Sequence, residues 1–106
     1  ISWKQIESLK KSQTFSFGGH SHTHPILSYL NPNDLKFEID TSLQMLNKKG
    51  KINTVHYSYP EGLKNCFNED VVSALKKRGI KCCPTAIEGV NDEKTCPFSL
   101  RRIAVT

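Results

Sequence analysis

The chain is short of several features that would classify it at once. No apolar run approaches the roughly 18 residues of a membrane span, because the longest candidates are broken by Lys, Glu or Ser. There is no Asn-x-Ser/Thr acceptor, no G-x-S-x-G nucleophile elbow, and no phosphate-loop lysine after Gly18-Gly19. Internal repeats and low-complexity tracts are absent. No signal peptide is visible and the chain starts at Ile1 without a Met, so it reads as a processed product or an excerpt of something longer. Its 106 residues are too few for two domains, or for a closed eight-stranded α/β barrel of ~250 residues.

What is there describes one globular domain, residues 1–106. Hydrophobic residues make up 37% and charged residues 24%, which excludes disorder. For this mass, surface scaling allows roughly 6,000 Å² folded, enough for a modest core. Fifteen Lys and Arg face ten acids, a net charge of +5. The basic pairs Lys10-Lys11, Lys48-Lys49 and Lys76-Lys77 fall near the ends of expected helices, where cations suit the dipole. We therefore expect no nucleic-acid partner and no membrane span. Cys66, Cys82, Cys83 and Cys96 match no zinc ribbon, and free thiols are expected.

Local signals predict alternating elements. Ser2 and Gln5 form a capping box for a helix to Lys11, with Trp3, Ile6 and Leu9 or the Lys10 stem inward. Thr14–Phe17 reads as a strand. Asn31 caps a second helix with Pro32 at its first position. Leu35, Ile39, Leu43 and Leu46 share one face of it, and Gly50 ends it. Thr54–Tyr59 reads as a strand before the turn Pro60-Glu61-Gly62. Asn68 opens a third helix that Gly79 stops. Ile80–Cys83 and Ile103–Val105 are strand candidates. The alternation predicts an α/β fold, three to four mostly parallel strands with flanking helices. Ligands then belong beyond the carboxyl ends of the strands, where His20–His24, Tyr59–Gly62 and Thr85–Asn91 lie.

Of these segments, the first carries the most chemistry. Imidazole is the commonest ligand for zinc, and on a helical turn His20 and His24 would share a face. His22 would point elsewhere, and His56 lies inside an expected strand. The bland alternative is three solvated loop histidines. A catalytic zinc site wants a third protein ligand and a base. The acids Asp34, Glu38, Asp40, Glu61, Asp70 and Glu88 are accounted for by caps, helix surfaces or turns.

The stretch Gly18-Gly19-His20-Ser21-His22-Thr23-His24-Pro25 resembles the histidine motif of the polysaccharide deacetylases (NodB-type, carbohydrate esterase 4). Trp3–Ile6, Phe15–Gly18, Glu38–Ser42, Tyr57–Gly62, Gly89–Asn91 and Leu100–Ile103 resemble further segments of that family. The resemblance implies a metal-dependent hydrolase acting on acetylated oligosaccharides or polysaccharides. It implies a divalent ion, zinc by preference, on His20 and His24, with Ser21 supporting their loop. It implies an oxyanion donor, the backbone N–H of Glu61, with Tyr59 and Pro60 as supporting residues, and Arg102 in the groove. The family's Asp-Asp strand end has no match in 1–17, and no His follows His56, so the site would be incomplete and the chain inactive alone. The family fold implies that the chain is a partial (β/α) barrel, roughly the C-terminal half of the family's distorted barrel. Phe15, Phe17, Val55, Tyr57, Ile80 and Cys82 would then line an open inner face, and a homodimer would cover it. The alternative is a non-catalytic carbohydrate-binding or structural domain using Trp3, Tyr57 and Tyr59 as stacking rings. Cell envelope and cytoplasm are both left open.

Overall fold

The computed structural model describes all of residues 1–106. It contains three α-helices, α1 (Trp3–Lys11), α2 (Pro32–Gly50) and α3 (Glu69–Lys76), and a short 3-10 turn at Leu27–Tyr29. Two strands, β1 (Pro84–Glu88) and β2 (Leu100–Arg102), follow. Each helix starts where its cap predicts. Ser2 and Gln5 bond reciprocally, and the Asn31 and Asn68 side chains accept the N–H groups of Asp34 and Val71. The end of α2 differs from expectation. The left-handed residue is Lys51 (φ 52°), while Gly50 stays helical. A Cβ on Gly50 would lie 3.0 Å from the Ile52 side chain and 3.2 Å from the Trp3 ring, so close packing occupies the place of a side chain.

The expected sheet of three to four strands in a partial barrel does not form. The only sheet is the parallel pair β1–β2, irregular between Pro84 and Glu88. The segments expected as strands at 14–17, 54–59 and 80–83 give only isolated parallel bridges, Gly19 to Tyr57 and His56 to Cys82. Local chemistry ends the pairing on both sides. Thr54 Oγ1 accepts the His56 N–H at 3.0 Å and removes it from a ladder. Beyond the bridges, Pro60 has no N–H to donate, and Ser21 turns left-handed (φ 64°). Pro84 opens β1 rather than closing a strand, a position where its missing N–H costs no ladder bond. The final strand is Leu100–Arg102, not Ile103–Val105.

The core lies between these segments and the helices. Leu27, Leu35, Ile39, Tyr57, Tyr59, Val71, Leu75, Ile80, Cys83 and Phe98 form one buried cluster. Tyr57 and Ile80 therefore belong to this core and not to an open inner face. Phe15 and Val55 remain exposed. The continuous apolar face on which the homodimer was expected is thus reduced. The molecule is nevertheless open. It exposes 7338 Å², about a fifth more than the roughly 6,000 Å² of scaling. All four cysteines are free thiols.

Candidate metal and acyl site

His20 and His24 do meet, but not on a helix. Ser21 (φ 64°) and His24 (φ 65°) both take the left-handed conformation, and the turn between them is closed by the His24 N–H donating to Ser21 Oγ at 2.9 Å. The two rings stand edge to face, with centroids 4.9 Å apart. His20 Nδ1 lies 2.8 Å from the Ser58 carbonyl oxygen. A carbonyl only accepts, so Nδ1 carries the proton and Nε2 keeps its lone pair, the tautomer a metal ligand needs. His22 is turned away, its ring edge-on to Phe37 at 5.8 Å. His56 is engaged elsewhere, with Nδ1 2.9 Å from Cys82 Sγ.

Two buried groups hold this loop from below. Ser42 gives its hydroxyl proton to the Ile39 carbonyl, so the Tyr57 O–H donates to Ser42 Oγ at 2.9 Å and accepts the Ser21 N–H at 2.7 Å. Burial pushes the Tyr57 phenol above its ordinary value. Glu38, only 6% exposed, is the second anchor. Its Oε2 accepts the N–H groups of His22 and Thr23, both at 2.8 Å, and its Oε1 accepts the Thr23 hydroxyl at 2.5 Å. Burial alone would raise the Glu38 carboxyl, but the Thr23 and His22 hydrogen bonds outweigh it and hold it below the ordinary carboxylate value. The helix-surface reading of Glu38 was mistaken. The signal lay in its spacing, three residues after Leu35 and four before Ser42, on the buried stripe of α2.

The turn after Tyr59 closes the other side. Tyr59 is buried, stacks on Phe67 at 4.4 Å and donates to the Phe98 carbonyl at 2.9 Å. Pro60 is also buried. Glu61 is left-handed (φ 61°), and its backbone N–H has no partner within the protein. Gly62 then docks on β1, its carbonyl accepting the Ala86 N–H at 2.8 Å. A Cβ on Gly62 would fall 2.8 Å from that nitrogen, so only glycine allows the approach. The Glu61 carboxylate reaches to 4.0 Å from His24 Nδ1. Arg102 is anchored on the same strand, its Nε donating to the Thr85 carbonyl. The depression beside His20 is lined by Trp3, Gly18, Gly19, Ser42 and Met45, not by Arg102. Tyr57 and Tyr59, each 1% exposed, are excluded as stacking rings.

The donor set fits two positions of a divalent ion. No third His, Cys, Asp or Glu joins His20 and His24 into a metal-holding group. Residues 1–83 match the family model described as polysaccharide deacetylase. The chain belongs to that family. Among solved structures it is similar to the Streptococcus pyogenes deacetylase PplD, described in complex with acetate, at 27% identity and a TM-score of 0.89 over 99% of this chain. Two others share the fold: the BpsB deacetylase domain of Bordetella bronchiseptica (17% identity, TM-score 0.83, 96% of this chain) and IcaB of Ammonifex degensii (19%, 0.78, 99%). The chain spans 45%, 48% and 48% of those three chains, respectively. None of the curated proteins matches it. No helix is long and apolar enough to cross a membrane.

Proposed function

We propose that this chain carries the imidazole and oxyanion parts of a NodB-type (carbohydrate esterase 4) deacetylase acting on acetylated oligosaccharides or polysaccharides. In this reading it is the C-terminal half of the catalytic domain and is inactive alone. The observation that carries it is the His20–His24 pair, with the His20 tautomer set by the Ser58 carbonyl, in a chain of this family. When bound, a divalent ion, zinc by preference, supplies Lewis-acid polarisation of the acetyl carbonyl and an activated water. His20 and His24 hold it. The Glu61 N–H, unpartnered and presented by a left-handed turn, donates to the carbonyl oxygen as negative charge develops there. Ser21 fixes the turn between the histidines. Tyr59 and Pro60, buried beneath Glu61, keep that turn from moving. Arg102, with its Nε on Thr85, leaves the outer nitrogens of its guanidinium for polar groups of the sugar.

Two measurements test this reading. Titration with Co²⁺ or Zn²⁺ should show weak binding that His24→Ala abolishes, and unchanged binding in the variant removes the metal assignment. Acetate release from an N-acetylglucosamine oligomer should stay at the metal-free background. Turnover above it, lost in His20→Ala, would show that two imidazoles suffice and that the chain is not inactive alone.

A further inference from the structure

Glu38 is a buried carboxylate that makes no ion pair, on a helix that carries no ligand of the proposed site. Ion pairs elsewhere on α2 join Asp40 to Lys36 and Arg78. All the hydrogen bonds that Glu38 accepts come from His22 and Thr23, two of the three residues between His20 and His24. A buried charge is tolerated only when its lone pairs are satisfied, and a loop with left-handed, non-glycine residues at 21 and 24 needs something to hold it.

We propose that Glu38 is the positioning residue of the His20–His24 pair. The carboxylate accepts the N–H groups of His22 and Thr23 at the apex of the loop. It fixes the apex to α2 one helical turn from Ser42, which holds Tyr57 and through it the Ser21 N–H. The separation of the two imidazoles is then set by α2 rather than by the loop itself. Outer contacts that orient ligands typically carry 10–100-fold in metal affinity.

This inference rests on the metal reading above, and the experiment separates the two. Co²⁺ affinity is measured by titration for the wild-type chain, His20→Ala, Glu38→Ala, Glu38→Gln, Thr23→Val and Leu35→Ala. Amide hydrogen exchange is followed at residues 21–24. His20→Ala should lose binding, and if it does not, the metal reading fails. Glu38→Ala should bind about ten-fold more weakly and lose protection at residues 22 and 23, with α3 unchanged. Glu38→Gln should recover most of the affinity, because its amide oxygen still accepts both N–H groups. Thr23→Val removes a single hydroxyl at the surface and should weaken binding by a smaller factor, and it probes the same contact where Glu38→Ala does not fold. Leu35→Ala loosens the same helix without touching the loop and should leave affinity unchanged while folded. Wild-type affinity in Glu38→Ala or, where that variant does not fold, in Thr23→Val would overturn the proposal, provided His20→Ala loses binding. So would an equal loss in Leu35→Ala, or unchanged loop protection in Glu38→Ala.

Discussion

Helices α1 and α2 both start with side-chain caps, and that of α1 is the fuller, yet α1 buries no residue and α2 buries Leu35, Glu38, Ile39, Ser42 and Gly50. On α1 the inward stripe of Trp3, Ile6, Leu9 and Lys10 reaches only partial burial. It rests against the end of α2, where the Lys10 ammonium donates to the Gly50 and Lys51 carbonyls. On α2 the stripe meets the Tyr57 segment, the Leu27 turn and α3. Capping and periodicity decide that a helix forms, whereas its share of the stability depends on what faces it.

The two helices should differ most in the core. Ile39→Ala should cost about 2–5 kcal/mol in chemical denaturation, while Ile6→Ala on α1 should cost well under half of that. Equal losses would mean that α1 is as central as α2. Tyr57→Phe comes next. It strips the acceptor from the Ser21 N–H and the donor from Ser42, at about 1–3 kcal/mol, and should loosen the histidine turn without melting α1.

pH should also act unequally, because the perturbed groups lie outside α1. The folded state depresses the Glu38 carboxyl, through its loop hydrogen bonds, and that of Asp40, through Arg78 and Lys36. Their contribution is present above the ordinary carboxylate values of 4.5 and 3.8 and is lost as pH falls through the lower folded values. At the alkaline end, burial pushes the Cys83 thiol from 9.0 up to about 12. The unfolded chain deprotonates first, so stability falls from about pH 9 to about pH 12. Melting temperatures across both limbs check this, and a flat acid limb in wild type would contradict it. Smaller still are the caps. Asn31→Ala should cost about 1 kcal/mol globally, whereas Ser2→Ala should fray α1 and register mainly as lost helical circular dichroism. Lys10→Ala should be the mildest, a few tenths to about 1 kcal/mol.

Much of the local architecture was legible. Asn31-Pro32, Ser2 with Gln5, and Asn68 before Glu69 and Asp70 mark helix starts through contacts spanning three residues, which no distant group needs to permit. The strands were misread because alternation at 14–17, 54–59 and 80–83 cannot reveal whether a neighbour runs alongside for more than one bridge. At the site, residues 20 and 24 were legible as a pair, but not the loop with two left-handed residues that brings them together. Glu38 was hidden because a lone acid on a helix looks solvated until its partners, 15 and 16 residues away in the chain, are in place.

By itself the sequence determined the helices, where they start and the family motif around His20–Pro25, because caps, periodicity and short motifs act within a few residues. The tertiary structure alone decided that Tyr57 and Ile80 face the helices. It also decided that His20 is held as the Nδ1–H tautomer by Ser58, 38 residues away, and that a carboxylate on α2 carries the histidine loop. Those outcomes depend on which polar groups lose water together, and burial is a property of the packed chain rather than of any segment of it.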